Sequence, residues 1–315
     1  METVKANIQC PITNTYDANI VCNKDRNGNA LRTVVNTLSG LVYTDPRPEH
    51  KQVKEFYSEN YRTEYKGSYI PKRKHIYRAG KVALKRWKRI EKFLSGQSRI
   101  LDAGSGGGEL MYLLNKKGFS VKGIEPNKGY AEFARKSYGL DIDVSFFEDT
   151  KLEINSFDTI VLFHVLEHLE SPVQELKNLT KLLDYGGLII IEVPNVMYTE
   201  GYPTSKWHLG HLYNFNLTTL NAIAIKSGLS LVFEREVDDG GNIMGVFKKM
   251  DALEEINVKG NYEKTVEVLK SHTLQKHFLS PNPYVRPIFR FLNNLEEFLA
   301  VKTRSTAREI LDSLY

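Results

Sequence analysis

A chain of 315 residues, 41% hydrophobic and 26% charged, has the make-up of a soluble globular protein with room for two domains, not of a disordered or membrane-spanning one. A net charge of +5 is too small by itself to mark a nucleic-acid binder, and two cysteines rule out a disulfide framework and suit a reducing compartment. Met1 to Cys10 lacks the apolar core of a signal peptide and no run nears the ~18 apolar residues of a membrane span, so a cytoplasmic location is expected.

In chain order, residues 1–60 read as short strands and turns (Asn27-Gly28, Ser39-Gly40, Asp45-Pro46-Arg47-Pro48), with a helix from about Glu49. Lys66 to Lys92 is the most basic stretch. Tyr77, Leu84, Trp87 and Leu94 recur there at helical spacing, so one stripe is expected to pack. Its cations, among them Lys72, Arg73, Lys74, Arg78, Lys81, Lys85, Arg86, Lys88 and Arg89, read as a solvated face, as a surface receiving an anionic substrate such as a nucleotide-sugar or phosphorylated lipid, or as a nucleic-acid contact.

From Ser98 to Lys249 apolar runs alternate with helical patterns, as in a parallel sheet with crossover helices. Strands are predicted near 99–103, 120–125, 141–146, 157–163 and 187–193, with helices near 108–117, 128–137, 172–183 and 217–227. Asn216 should cap the last helix and Gly228 end it. Strands near 229–237 and 242–248, linked by Asp238-Asp-Gly-Gly241, read as an antiparallel hairpin. The last 65 residues are helical in pattern. Their clearest stripe (Ile288, Phe291, Leu292, Leu295, Phe298, Leu299) is expected to pack on the main body or on a partner subunit.

The strand at Ile100-Leu101, the turn Gly104-Ser-Gly-Gly-Gly108 and the helix after it offer bare backbone N–H groups to a ligand. A dinucleotide fingerprint would need a third glycine where Glu109 stands, and that carboxylate would repel a pyrophosphate. Glu125 follows Asp102 by 23 residues, near the ~20-residue offset at which an acid holds ribose hydroxyls.

Three motifs occur in order: Asp102-x-Gly104-x-Gly106-x-Gly108, then Phe157-Asp-Thr-Ile-Val-Leu-Phe-His164-Val-Leu-Glu167-His168, then Gly186-Gly187-Leu-Ile-Ile-Ile-Glu192-Val-Pro194-Asn195. Together they resemble class I S-adenosylmethionine-dependent methyltransferases, closely over 98–195 and loosely over 196–248. The resemblance implies an α/β fold: a Rossmann-like seven-stranded sheet with a small N-terminal module (1–70), a methyltransferase domain (71–249) and a C-terminal helical extension (250–315). It implies S-adenosyl-L-methionine as cofactor, on a loop formed by Gly104, Gly106 and Gly108 and supported by Asp102. Glu125 would hold the ribose, Asp149 of the pair Glu148-Asp149 the adenine, and His164 would border the cofactor.

The N-terminal segment resembles the zinc ribbon that precedes many bacterial sugar methyltransferases. It keeps Cys10-Pro11 and Gly40-Leu41-Val42-Tyr43 but has Thr13 and Ser39 at cysteine positions. Cys10 and Cys22 then read as two buried structural thiols in a metal-free relic, and no metal site is expected. Trp207-His-Leu-Gly-His-Leu-Tyr-Asn-Phe215 is similar to a segment of the same sugar enzymes. Gly210 stands where carbon-methylating members carry an acid, which favours a hydroxyl acceptor. Such an acceptor is helped by a base, and histidine suits the task. The candidates are His211, His168 and His164, with His208 beside them; the alternative is that they pack, cap or bind substrate. His164-Val-Leu-Glu167 also replaces the Asn/Asp-Pro-Pro-Tyr/Phe of base methylators, so no nucleic-acid partner is expected. The resulting expectation is O-methylation of a carbohydrate, either a nucleotide-sugar or a surface-polysaccharide residue. Sugar C- or N-methylation, a small-molecule or lipid acceptor, and a non-catalytic binder stay open. So do peripheral membrane contact and a homo-oligomer formed through the C-terminal helices.

Overall fold

The structure, a computed structural model, describes residues 1–47, 70–96, 98–249 and 254–315; the helix expected from about Glu49 and the start of the basic stretch at Lys66 lie outside them. Four short strands open the chain: β1 (Thr3–Lys5), β2 (Asp17–Lys24), β3 (Ala30–Asn36) and β4 (Val42–Thr44). Then come α1 (Arg73–Ile90), β5 (Arg99–Ala103), α2 (Glu109–Lys116), β6 (Ser120–Ile124), α3 (Lys128–Tyr138), β7 (Asp141–Asp143), β8 (Phe157–Phe163), α4 (Pro172–Leu182) and β9 (Leu183–Pro194). After β10 (Tyr213–Asn214) and α5 (Leu217–Lys226), the strands β11 (Leu229–Val237) and β12 (Asn242–Lys249) form a hairpin. Four helices follow: α6 (Asn261–Ser271), α7 (Leu274–Leu279), α8 (Asn282–Lys302) and α9 (Ala307–Asp312).

The expected seven-stranded sheet is present, in the order β11-β12-β9-β8-β5-β6-β7. β5 pairs in parallel with both β6 and β8, and β12 pairs antiparallel with β9. Its inner strands are apolar on both faces because helices cover both: Ile100, Leu101, Ile160, Val161, Ile190 and Ile191 are fully buried. Local signals set the ends of the helices. Asn127 accepts from Tyr130 N at the start of α3, Gly139 closes that helix in the left-handed region, and Asn216 with Thr219 forms a reciprocal cap on α5. β7 stops at Asp143 instead of 146, because Phe147–Asp149 turn into a 3₁₀ helix.

The chain forms two compact units. The first comprises Met1–Glu49, Phe163–Thr180 and Leu188–Val285; the second comprises His50–Leu162, Lys181–Gly187 and Arg286–Tyr315.

In the first unit, β10 joins the N-terminal strands to make a five-stranded sheet, β1-β2-β3-β4-β10. The positions that resemble ribbon ligands are tied by hydrogen bonds. Ser39 Oγ and Thr13 Oγ1 donate to Asn36 Oδ1 at 2.9 and 3.3 Å, and Cys10 Sγ lies 3.4 Å from Ser39 Oγ. Asn36 is fully buried, and its amide nitrogen donates to Thr15 Oγ1 and Asp17 O. Cys10 is a buried thiol as expected, but Cys22 is half-exposed and donates to Lys24 O, because it stands where the β2–β3 register shifts.

In the second unit two expectations about packing are corrected. On α1 Tyr77 is buried as expected, but the deepest residues are Ile76, Ala83 and Ile90, while Leu84, Trp87 and Leu94 are only half-buried. The line of contact runs through Gly80, where an added Cβ would stand 2.8 Å from Leu311 of α9 and 2.6 Å from Leu314. The second correction concerns α8. Its apolar stripe does not pack on this chain: Ile288, Phe291, Leu292, Leu295, Phe298 and Leu299 are all exposed. It is the polar edge that docks. Glu297, the one buried residue of α8 among those described, receives a two-pronged ion pair from Arg78 at 2.6 and 2.7 Å, and Lys81 meets Glu296.

Candidate functional site

The second unit carries the glycine turn. Where β5 ends, Gly104 N and Ser105 N both donate to Ile124 O of β6, at 2.8 and 3.0 Å. Gly104, Gly106 and Gly108 have φ of +90°, +58° and +79°, a region that L side chains rarely adopt. A Cβ on Gly108 would also meet Leu140 Cδ1 at 2.6 Å, and one on Gly107 would meet the Glu109 carboxylate at 2.5 Å. The turn is therefore fixed by conformation and by space together.

Glu125, the first residue after β6, is 4% exposed; its two oxygens accept from Gly106 N at 2.7 Å and Asn127 N at 3.0 Å. That carboxylate clasps the turn from below. Asp102 is buried in β5, and burial pushes its carboxyl up to about 7, with Arg86 opposing and Glu125 and Glu109 adding to the rise. Three carboxyls thus surround the turn, an environment that disfavours a phosphate and suits a ligand with positive charge. Ser105 Oγ is buried with no hydrogen-bond partner among the described residues. Asp149 is exposed in the 3₁₀ turn after β7, the strand beside β6. The lining suits S-adenosylmethionine: the left-handed turn keeps side chains away from Gly104, Gly106 and Gly108, and the Glu125 carboxylate lies against it.

The first unit gathers the histidines. His164 follows β8 directly at φ +58°, an uncommon conformation for a side-chain-bearing residue, and its N–H donates to Glu192 O at 2.8 Å. Its ring faces two buried carboxylates, with Nδ1 3.4 Å from Glu167 Oε1 and Nε2 3.5 Å from Glu192 Oε1. Glu167 is 1% exposed. Burial alone would raise its carboxyl, but His168 and His164 beside it bring it below the ordinary range. His168 is anchored on both sides: Nδ1 donates to Gly210 O at 2.5 Å, so it carries the proton, and Nε2 lies 3.7 Å from Glu167.

His211 packs between the other two rings, with centroids 3.8 Å from His208 and 5.1 Å from His168. Burial, reinforced by His168 and His208, holds it well below its ordinary pKa, so it is a neutral imidazole near pH 7. Burial likewise takes His208 down to about 4. The loop bearing these rings hangs on the N-terminal strands. Thr44 Oγ1 donates to His211 O at 3.1 Å, Thr44 N to Leu212 O, and Arg26 N to Trp207 O. Glu167, His168 and His211 each offer one ligand atom within 4.8 Å of the others, a spacing that a divalent cation could use.

Histidine chemistry pointed to the rings but not to their acidic partners. Glu167 stood in the quoted motif and Glu192 in the next, and only their burial marks them. Lys206 was also missed. It is buried, donates to Val196 O and Tyr198 O, and burial lowers its ammonium to about 8. No sequence signal separated it from a surface lysine.

Residues 73–233 match a family profile described as a methyltransferase domain. Among curated proteins, the chain is 30% identical over 122 residues to a ubiquinone biosynthesis O-methyltransferase of Rickettsia typhi, covering 36% of this chain and 48% of that one. It is 34% identical over 115 residues to a tRNA U34 carboxymethyltransferase of Ectopseudomonas mendocina, covering 34% and 36%. The chain thus spans about half, or less, of the length of these relatives. Among solved structures, it resembles the 1,6-didemethyltoxoflavin-N1-methyltransferase of Burkholderia thailandensis in fold, with a TM-score of 0.52 and 14% identity over 70% of this chain and 96% of that one.

Proposed function

Because the chain belongs to this methyltransferase-domain family, we propose that it methylates a hydroxyl of a carbohydrate, on a nucleotide-sugar or a polysaccharide residue, using S-adenosylmethionine. The observation that carries the cofactor reading is the left-handed glycine turn clasped by buried Glu125 and ringed by Asp102 and Glu109. When bound, the cofactor supplies an activated methyl group on a sulfonium. The side-chain-free surface of the glycine turn receives it, Glu125 orients it, and Asp149 meets the adenine. Orientation of this kind is worth up to ~7–11 kcal/mol in a displacement reaction.

His211 takes the hydroxyl proton. It is neutral, and no side-chain hydrogen bond engages it among the described residues, whereas His168 and His164 have both ring nitrogens turned to protein oxygens. His168, fixed by Gly210 and Glu167, packs against His211 and places the charge of Glu167 where the imidazolium forms. The sugar assignment is supported by the resemblance of the segment Trp207–Phe215 and of the N-terminal strands to sugar methyltransferases. A phenolic or lipid hydroxyl is the second reading, favoured by the O-methyltransferase relative.

The test incubates the protein with methyl-labelled S-adenosylmethionine and separated nucleotide-sugar, polysaccharide, lipid and RNA fractions of its host. Label in either sugar fraction is expected. Label confined to lipid would establish the second reading, and label in none would overturn the assignment as an enzyme.

A further inference from the structure

The histidine cluster of the first unit holds more donors than the removal of one proton needs. Glu167 and His168, just after β8, and His211, before β10, each present one ligand atom within 4.8 Å of the others. The His168–Glu167 pair stands at 3.7 Å. Two donors that each lie ~2.1 Å from a tetrahedral ion are about 3.4 Å apart, so this pair is close to the required span. Both Glu167 oxygens are buried without a hydrogen-bond partner among the described residues. A buried carboxylate left so costs free energy unless positive charge meets it. His164 and His168 approach it only at ion-pair range, 3.4 and 3.7 Å. A second buried carboxylate, Glu192, lies 3.5 Å from His164.

We propose that Glu167, His168 and His211 bind one divalent cation of the zinc class, and that this ion competes with the acceptor's proton for His211. Two imidazole nitrogens and one carboxylate oxygen suit Zn²⁺, Co²⁺ or Ni²⁺ better than Mg²⁺ or Ca²⁺, which take oxygen donors. The surroundings of the donors are laid out as at bound metals, where the outer nitrogen of a ligating histidine is fixed by a carbonyl. His168 Nδ1 donates to Gly210 O, which turns Nε2 toward Glu167. The backbone of His211 is held at both ends, its N–H donating to His208 O and its carbonyl accepting from Thr44 Oγ1. Three protein ligands leave a fourth position for water. A neutral imidazole has one ring nitrogen with an available lone pair, so the ion and the proton contend for the same atom of His211. That second half rests on His211 being the base, whereas the binding of the ion does not.

Co²⁺ titrated into the full chain, desalted from EDTA, tests the site by calorimetry and visible absorption. One equivalent should bind with the d–d bands of a four- or five-coordinate ion, and Zn²⁺ should displace it. Glu167→Gln and His211→Ala should each weaken Co²⁺ binding at least tenfold, while Cys22→Ser leaves it unchanged. A cooperative melting transition and retained S-adenosylhomocysteine affinity show that each variant is folded; should Glu167→Gln fail to fold, His211→Ala carries the test. Absence of stoichiometric binding, or binding retained in the folded variants, overturns the site. In the methyl-labelling assay, one equivalent of Zn²⁺ should lower transfer at least tenfold and EDTA should restore it. Zn²⁺ that binds but leaves transfer unchanged, or raises it, overturns the competition, and raised transfer would also retire His211 as the base. Because Co²⁺ binding is read without any acceptor, the site stands or falls separately from the methyl-transfer reading.

Discussion

Between Ala103 and Glu109 the chain makes its ligand surface out of backbone: three left-handed glycines within five residues, a strand before them, a helix after them and one carboxylate underneath. Around His211 the surface is made of side chains drawn from the end of β8, the end of β9 and the loop before β10, and its frame is lent by strands at the other end of the chain. The two regions also differ in their relation to protons. Burial raises the Asp102 carboxyl beside the first and lowers the imidazoles of the second, so each is kept in its neutral form by the opposite shift. A backbone site fails when space is filled. A side-chain site fails when one ring or one strand contact is lost.

The largest effect should come from filling space in the first region. Gly108→Val adds a left-handed strain and drives a side chain into Leu140, costing about 3 kcal/mol and abolishing S-adenosylhomocysteine binding; thermal melting and calorimetry will read both. His211→Ala, in the second region, should lower turnover ~10²–10⁴-fold with cofactor affinity unchanged. Unaltered turnover would retire His211 as the base.

The proton contrast predicts opposite limbs of stability against pH. Asp102 keeps its proton to about pH 7 in the folded chain but releases it near 3.8 when unfolded, so stability falls as pH rises across that window, and Asp102→Asn should flatten the fall. His208 resists protonation down to about 4 when folded but takes a proton near 6.5 when unfolded, so stability rises over that interval and His208→Gln should flatten the rise. The two windows overlap, so the slopes offset each other in the parent chain; melting temperatures from pH 4 to 8 should tilt upward with pH in Asp102→Asn and downward in His208→Gln relative to the parent, and a variant with the parent's profile would refute the shift behind it. The smallest effect belongs to Thr44→Val, which removes one hydrogen bond to the histidine loop and should cost about 1 kcal/mol in urea unfolding, with a modest drop in turnover.

This contrast explains what could be read from the sequence. β5, the glycine turn and Glu125 were legible because strand, turn and offset are encoded within about 25 residues by buried apolar runs and by glycines at positions where other residues are strained. The hairpin of β11 and β12 was legible for the same reason: Asp238, Asp239 and Gly240 all take the left-handed conformations that its tight turn requires. The pairing of β10 with β4 was hidden, since two residues at 213–214 carry no strand period and their partners lie 170 positions earlier. Glu167 and Glu192 were visible as letters, but their burial is a tertiary fact. α8 shows the third case: its period predicted an amphipathic helix, but period alone does not say whether the apolar or the charged side meets the protein, and here Arg78 and Lys81 decided it.

The cluster around Asn36 has a consequence for the conditions under which the histidine loop keeps its shape. A knuckle fastened by thiolates on a metal loosens when the metal is withdrawn or the sulfurs are oxidised. Here an amide, two hydroxyls and a single thiol hold β3 beside the turn to β4, and β4 in turn holds β10. The fastening of the frame behind His211 therefore rests mainly on neutral amide and hydroxyl hydrogen bonds, which neither a chelator nor a change of pH near neutrality addresses.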